Sequence, residues 1–395
     1  MSEYKPTELH TGMSGTGLRD HNERLVLSLI QRHGALPSAD IARRIGLSAQ
    51  TASVITRSLE RDGLLKRGEP VRGRVGKPSV PLGLHPDGAF AVGLRIGRRG
   101  ADLILMDLVG AIRGQKTVRY AYPTPAVVMA FAADALEQLM APLDPAKQAR
   151  FAGIGVAAPF DLWNWLDRLN APKEEMNAWR DFCFTKAFSQ LSDRPVVSGN
   201  DATVACIAEH VTGRGADFAD YAYFYIGDFC GGGVVLNGMV YPGRSGNAGA
   251  FGSLPVAAHQ ASDRQLIHHA SLHLLERQLA ASGLSVDLLR GEDASWTGFD
   301  QFLHPWLDQT AHSLALAAVS AASVIDFQAI VIDGDFPTGV RSALVQRVAA
   351  CMGDMDTTGI VPPQIVPGSI GPMAGAMGAA HQVILSRYLL TQTML

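Results

Sequence analysis

The feature that most constrains the fold is a pattern of short apolar strands that occurs twice along the chain. In its first copy, residues 91–96, 101–106 and 112–120 are separated by turn residues and predict three consecutive antiparallel strands. A helical segment at 129–143 follows them. A second set of strands occupies residues 221–240. We therefore predict an internal duplication, with two related lobes and a ligand cleft between them.

Composition and length indicate a globular protein of more than one domain. Of the 395 residues, 47% are hydrophobic and 18% are charged, which excludes general disorder. No run approaches the ~18 apolar residues of a membrane span, and the polar first residues are unlike a secretory signal. The four cysteines stand far apart without a CxxC pair, so we expect reduced thiols, no metal site and a cytoplasmic location.

Charge is distributed unevenly along the chain. Residues 19–85 contain twelve Lys and Arg against six Asp and Glu, which gives a net charge of +6. The 310 residues that follow carry a net charge of −8. A basic segment ahead of an acidic one predicts that the first part binds a polyanion while the second has a different task. Chance clustering of charge is the alternative that this observation alone leaves open.

The basic segment has the periodicity of a helix-turn-helix. Ser38 and Ser48 are placed to cap two helices, at 39–45 and 49–62, with Gly46 in the turn between them. Three apolar residues of the second of these helices are expected to point inward: Val54, Ile55 and Leu59. A three-helix bundle with no role in DNA binding is the alternative.

A basic hairpin follows these helices. Residues 63–68 and 80–84 are expected to form strands, and the loop between them holds cations among glycines. Such a wing can enter a minor groove, while exposed polar residues of the preceding helix meet bases and phosphates. The predicted contacts to double-stranded DNA are Ser48, Gln50, Thr51, Ser53 and Arg57 on the helix, and Arg72, Arg74 and Lys77 in the wing.

Several glycine-rich segments together resemble the ROK family (repressor, open reading frame, kinase), and specifically its transcriptional regulators. These segments are 73–78, 153–159, 199–202, 226–238, 243 and 246–252. The combination is specific, although each segment alone would be weak. The resemblance implies an α/β fold in which an N-terminal winged helix-turn-helix precedes a two-lobed, duplicated, ribonuclease H-like body of the actin/hexokinase type.

The sequence and the resemblance together set the expected domain boundaries. We expect a disordered tail at 1–18, the winged helix-turn-helix at 19–85, the first lobe at 86–200 and the second lobe at 201–395. The final helix either stays with the second lobe or returns to the first. Members of the family usually dimerise through the body, which implies a homodimer or a dimer of dimers on a palindromic operator.

The positions that bind nucleotide in the family's kinases are changed at three places. Arg95 replaces the acid of an Asp-x-Gly-Gly-Thr loop. Asp228 and Phe229 stand in the second phosphate loop, and Asp335 replaces a glycine of the nucleotide clamp. Phosphoryl transfer depends on positioned charges and donors. The resemblance therefore implies a degenerate kinase domain that binds no cofactor and is not an enzyme.

The sugar-binding side is retained in part. The resemblance implies that Asn200 and Asp201 bond sugar hydroxyls and that Asp201 is the vestige of the catalytic base; a helix N-cap is the alternative role for Asp201. The Glu-x-Gly-His motif has become Ala-Phe-Gly-Ser at 250–253, and the cysteines of the zinc loop are absent. Trp179 and Arg244 complete the candidate effector residues, with packing the alternative for Trp179.

These observations together predict a DNA-binding transcriptional regulator, a repressor of carbohydrate-related genes that associates with the nucleoid. A small sugar or sugar derivative is expected as the effector in the interlobe cleft. Two alternatives stay open: an active sugar kinase with an appended DNA-binding head, and a DNA-binding scaffold that responds to no effector.

Overall fold

The computed structural model divides the chain into two compact units. It describes residues 15–70, 79–159, 162, 171–256, 263–289 and 296–390. The head unit contains the residues up to Ala89 together with those from Ile384 onward, and the body unit contains Phe90–Val383. No helix among the described residues is long and apolar enough to cross a membrane.

The head unit combines three helices with a small antiparallel sheet. Its elements in chain order are α1 (Gly15–His33), β1 (Leu36–Pro37), α2 (Ser38–Ile45), α3 (Ala49–Arg61), β2 (Leu65–Arg67) and β3 (Pro81–Leu84). The sheet order is β1-β3-β2, so β3 pairs with both other strands. The predicted helix-turn-helix and the two strands of the hairpin are confirmed, whereas the two-residue strand β1 was missed because it is too short to show a period.

Two details of the predicted head are wrong. Helix α1 begins at Gly15, so residues 15–18 are helical and not part of a disordered tail; residues 1–14 lie outside the described residues. Ser38 is the first residue of α2, and Pro37 occupies the N-cap position without a side-chain hydrogen bond.

The inner face of α3 also differs from the prediction at one position. Ile55 and Leu59 are buried as expected, but Val54 is 60% exposed. Successive helical residues lie about 100° apart, so a face that buries Ala52, Ile55 and Leu59 turns Val54 toward the opposite side.

The body unit begins with one five-stranded sheet and its covering helices. The elements in chain order are β4 (Phe90–Ile96), β5 (Gly100–Asp107), β6 (Ile112–Arg119), α4 (Pro125–Met140), α5 (Pro145–Gln148), β7 (Phe151–Ala158), α6 (Lys173–Asn177), α7 (Phe184–Phe188) and β8 (Val196–Asn200). The sheet order is β6-β5-β4-β7-β8.

A second five-stranded sheet completes the body unit. The elements in chain order are α8 (Asp201–Thr212), β9 (Tyr221–Ile226), β10 (Cys230–Leu236), β11 (Met239–Tyr241), α9 (Leu272–Ala281), α10 (Asp300–Ala322), β12 (Ala329–Gly334), α11 (Thr338–Gly353), β13 (Gln364–Pro367) and α12 (Ala374–Tyr388). The sheet order is β11-β10-β9-β12-β13.

The two sheets have the same topology. In each, the first three strands pair antiparallel, and the last two add in parallel beside the first strand. Numbered within its own half, each sheet therefore has the order 3-2-1-4-5. This identity confirms the predicted duplication and the α/β fold class.

The last helix packs directly on the first sheet. A Cβ atom at Gly93 of β4 would overlap the carbonyl oxygen of Ala376, and one at Gly155 of β7 would overlap that of Ala379. Only hydrogen at these two positions lets the backbone of α12 approach the strands so closely. The helix therefore returns to the first lobe, which was one of the two predicted placements. Its residues from Ile384 onward group with the head unit.

We expect Gly155→Ala to lower the free energy of unfolding by about 3 kcal/mol, because the added methyl group overlaps backbone atoms that cannot rotate away. Urea unfolding of the full chain measures the change. Gly339→Ala in α11 is the matched control: no atom lies within 4 Å of its Cβ position, so stability should stay the same or rise by up to ~1 kcal/mol. Equal effects at the two positions would contradict the packing argument.

Candidate functional site

The first candidate site is the exposed side of α3 in the head unit. Ser48 is the N-cap of this helix, as predicted: its Oγ accepts a hydrogen bond from Thr51 N at 3.0 Å and lies 2.8 Å from Thr51 Oγ1. Both hydroxyls therefore help to begin the helix. Gln50 and Arg57 are exposed and Ser53 is half-buried, so the predicted contact residues of the helix reach the surface to different degrees.

The hairpin is fixed to α3 by an ion pair. Arg67 of β2 donates to both carboxylate oxygens of Glu60, at 2.6 and 3.1 Å. This bidentate contact orients the base of the wing relative to the helix. The predicted wing cations Arg72, Arg74 and Lys77 lie outside the described residues, and their role stays a prediction.

The second candidate site is a cavity of about 200 Å³ in the body unit. It lies where β4, β8 and β9 end, and the segment 247–253 closes it on the side of the second lobe. Polar groups from both lobes face it; they are Arg95, Arg98, Asn200, Asp201, Asp228, Asn247 and Ser253. Convergent polar groups in a concave site are typical of a small-ligand pocket.

Asn200 and Asp201 both line this cavity, and Asn200 caps the N-terminus of α8. Asn200 Oδ1 accepts hydrogen bonds from the backbone N of Ala202 and of Thr203, each at 3.2 Å, so Asn200 and not Asp201 is the N-cap of α8. Asp201 Oδ1 accepts from Ala202 N at 2.8 Å. Burial raises the pKa of Asp201 from 3.8 to about 6, and the positive charge of Arg95 opposes the rise.

The other two predicted effector residues do not line the cavity. Trp179 is buried in the core of the first lobe, where its Nε1 donates to Pro123 O at 2.8 Å and its ring centroid lies 4.9 Å from that of Phe182. Arg244 is exposed in the loop after β11. For Trp179 the structure thus shows packing, the alternative role. Neither position follows from the local sequence, because the depth of a Trp and the path of a loop depend on residues distant along the chain.

An ion pair joins the two lobes at the edge of the cavity. Arg95 at the end of β4 pairs through Nη2 with Asp335, which follows β12. Tyr225 OH donates to the other oxygen of the Asp335 carboxylate at 2.5 Å. Arg95 Nη1 also donates to Pro372 O at 3.3 Å and lies 3.9 Å from an oxygen of Asp102. Arg95 and Asp335 both stand at positions where the resemblance to the family's kinases implies a different residue. The two lie on opposite lobes and pair with each other.

A second contact between the lobes involves the other changed positions. Arg98 N donates to Asp228 Oδ2 at 3.3 Å, and the Arg98 guanidinium lies 4.5 Å from the centre of the Phe229 ring. Asp228 and Phe229 were singled out from the sequence, but neither Arg98 nor its contact with them was. The sequence did contain a signal for this pairing. Cations stand at the motif positions of one lobe, and carboxylates stand at the motif positions of the other.

The retained glycines of the second phosphate loop have a packing role. A Cβ atom at Gly231 would lie 2.8 Å from Ala202 Cβ, and one at Gly233 would lie 2.5 Å from Cys206 Cβ. Both neighbours belong to α8, so these glycines allow the helix to lie directly on β10. Glycine at these positions is thus required for the fold whether or not a phosphate is bound.

A larger cavity, of about 510 Å³, is lined by both residues of the ion pair. Arg95, Arg98 and Asp228 border both cavities, whereas Asp335 faces only the larger one. Glu276 and Arg119 also line the larger cavity. The two cavities are therefore adjacent, with Arg95 of the ion pair lining both. No cluster of three or more His, Cys, Asp or Glu residues suited to a metal is found among the described residues.

Fold and sites together define a DNA-binding protein with a body of the actin/hexokinase type. The ROK family model matches residues 91–266, and a winged helix-turn-helix DNA-binding model matches residues 19–66. The chain thus carries a ROK family domain behind a winged helix-turn-helix domain.

Two relatives in sequence illustrate this relationship. The chain is 26% identical over 360 residues to protein y4fQ of Sinorhizobium fredii, which covers 91% of this chain and 89% of that protein. It is 24% identical over 240 residues to the DNA-binding transcriptional dual regulator NagC of Escherichia coli, which covers 60% of this chain and 57% of that regulator.

Two solved structures share the fold. A ROK family transcriptional regulator, a homolog of the E. coli MLC protein, superposes with a TM-score of 0.67 at 20% identity, covering 94% of this chain and 97% of that one. A ROK hexokinase from Thermus thermophilus superposes with a TM-score of 0.53 at 24% identity, covering 75% of this chain and 98% of that one. The fold is thus shared by a regulator and by a kinase. The fold alone therefore does not distinguish the two functions, and the residues that line the cleft must be compared instead.

We expect the Arg95–Asp335 pair to show strong coupling in a double-mutant cycle. The two side chains are only 15% and 20% exposed, so removing one partner leaves the other charge poorly solvated. Arg95→Met or Asp335→Asn should each lower the free energy of unfolding by about 2–4 kcal/mol, and the double variant should lose about 1–3 kcal/mol less than the sum. Urea unfolding provides the four free energies.

The matched control is a more exposed pair in the same unit, Arg347 and Asp308, which lie 2.8 Å apart with 33% and 69% of their side chains exposed. The corresponding cycle with Arg347→Met and Asp308→Asn should show a coupling below ~1 kcal/mol. Additive effects at Arg95 and Asp335 would mean that the pair contributes nothing beyond two separate residues.

Proposed function

We propose that this protein is a transcriptional repressor of carbohydrate-related genes that has lost kinase activity. Its head unit binds DNA, and a small sugar or sugar derivative in the 200 Å³ cavity controls that binding. A homodimer or a dimer of dimers would present two heads to a palindromic operator on the nucleoid. The matched winged helix-turn-helix model and the similarity to the DNA-binding transcriptional regulator NagC support the DNA-binding part of the proposal.

The observation that carries the loss of kinase activity is the Arg95–Asp335 ion pair. Phosphoryl transfer needs acids that hold a metal ion and donors that hold the phosphates. Here the position of the acid in β4 is a cation, and that cation is neutralised by a carboxylate of the opposite lobe. A triphosphate entering this place would lose the attraction of Arg95 and meet the charge of Asp335. The pair therefore disfavours nucleotide where a kinase requires it.

Asn200 and Asp201 support a sugar-like effector. Both face the cavity, and they retain the amide and carboxylate that suit hydroxyl groups. At neutral pH Asp201 is mostly ionised, since its pKa is about 6, so it accepts hydrogen bonds from hydroxyls. Ser253 and Asn247 offer further polar groups from the second lobe. Trp179 and Arg244 drop out of this proposal because they lie away from the cavity.

The wing can be tested through the salt dependence of DNA binding. Arg74→Ala with Lys77→Ala should weaken binding to an operator duplex by about 1–3 kcal/mol or more, and it should flatten the dependence of log K on log salt. Fluorescence anisotropy over a range of salt concentrations measures both. Arg180→Ala with Lys186→Ala, which removes two exposed cations of the body unit, should change neither. Unchanged binding by the wing variant would refute the assignment of the wing.

The cleft can be tested by a thermal-shift screen over sugars, sugar phosphates and sugar acids. A ligand at ~100 times its dissociation constant adds about 2.7 kcal/mol of stability, which is a clear shift in Tm. Asp201→Asn should reduce the shift for the same ligand. No shift with any compound would favour the effector-independent scaffold. ATP-dependent phosphorylation of a sugar, lost in Asp201→Asn, would establish the kinase alternative instead.

A further inference from the structure

One face of α3 presents three side chains of different chemistry to solvent. Gln50, Val54 and Arg57 stand at positions i, i+4 and i+7, so they form a single stripe along the helix. All three are exposed, and Val54 is 60% exposed. The opposite face, with Ile55 and Leu59, is buried in the head unit.

The hydroxyl groups of Ser48, Thr51 and Thr56, close to this stripe, are engaged in hydrogen bonds at the N-cap or within the helix. Ser48 and Thr51 bond each other at the N-cap, and Thr56 Oγ1 donates to Ala52 O at 2.9 Å. What the stripe offers to a partner is therefore an amide, a pair of methyl groups and a guanidinium. Val54 supplies its apolar part.

Stability of the helix does not account for valine at this position. A β-branched residue is less favourable in a helix than alanine by roughly 0.5 kcal/mol, and the exposed side chain gains little from packing within the chain. The stripe also lies in a segment with a net charge of +6. Its surroundings thus fit a polyanion, and its centre fits an apolar group on that polyanion.

We propose that Val54 is a specificity-determining residue that contacts the 5-methyl group of a thymine in the major groove. This inference rests on the proposed DNA-binding function. Thymine is the base that presents a methyl group on its major-groove edge, and apolar side chains recognise it by contact. Gln50 and Arg57, on either side, suit adenine and either guanine or phosphate.

The spacing along the helix fits such a reading. At ~1.5 Å of rise per residue, Val54 lies about 6 Å from Gln50 and about 4.5 Å from Arg57 along the axis of α3. Base pairs are stacked about 3.4 Å apart, so neighbouring residues of the stripe face base pairs one or two steps apart. The operator half-site should therefore contain a thymine next to the positions that Gln50 and Arg57 contact.

The test starts from a duplex selected out of random sequence with the full-length protein. Each thymine is then replaced in turn by deoxyuridine, which keeps every hydrogen bond and lacks only the methyl group. We expect one thymine per half-site at which the replacement weakens binding about fourfold, equivalent to ~0.8 kcal/mol for one methyl group. Val54→Ala should weaken binding to the thymine duplex to a similar extent and become insensitive to deoxyuridine at that position.

Val324→Ala is the matched control, because Val324 is 82% exposed and lies in the body unit. It should reproduce the wild-type deoxyuridine profile. Since Val54 is exposed and alanine is the better helix former, Val54→Ala should leave the melting temperature unchanged or raise it slightly, which separates a lost contact from a misfolded head. The deoxyuridine scan of the wild-type protein does not depend on any variant.

The outcomes are distinguishable. Absence of any methyl-sensitive thymine, or a sensitivity that persists in Val54→Ala, overturns the assignment of Val54 while leaving DNA binding intact. If no duplex is enriched by the full-length protein at all, the proposed function itself fails. The contact is established if replacing one thymine by deoxyuridine weakens binding of the wild-type protein and of Val324→Ala but not of Val54→Ala.

Discussion

The interaction on which the cleft depends is the ion pair between Arg95 and Asp335. A guanidinium that is only 15% exposed needs a compensating charge, because the unpaired ion would be costly to remove from water. The carboxylate that supplies this charge comes from the other lobe, and Tyr225 fixes its second oxygen. Strand β4 is the middle strand of its sheet and β12 is an interior strand of the other, so this pair joins the two halves at strands that are paired on both sides.

The glycine signature of the body has two physical origins that must be kept apart. Glycine in a phosphate loop lets backbone donors approach an anion, and glycine under a helix lets two backbones touch. Gly231 and Gly233 serve the second purpose against α8, and Gly155 does so against α12. Packing therefore accounts for these glycines whether or not the loop binds a phosphate. A family resemblance based on glycines shows the fold well and the chemistry poorly.

Local patterns in the sequence were sufficient for most of the architecture. The duplicated strands, the cap at Ser48 and the two strands of the hairpin follow from periodicity and capping within a few residues. Burial depth was not predictable in the same way: the choice of face for Val54 and the core position of Trp179 depend on neighbours distant in sequence. The pairing of Arg95 with Asp335 joins residues 240 positions apart, so no local window contains it.

The ion pair also constrains what an effector must do in the proposed function. A ligand shifts an equilibrium between two arrangements only by the difference in its affinity for them. Since the Arg95–Asp335 pair joins the lobes, a ligand that contacts one lobe alone has the same affinity for both arrangements and leaves their equilibrium unchanged. The effector must therefore contact both sides of the cavity, Asn200 and Asp201 from the first sheet and its following helix, and Asn247 or Ser253 from the second lobe. A compact polyhydroxyl compound meets that requirement because its donors point in several directions.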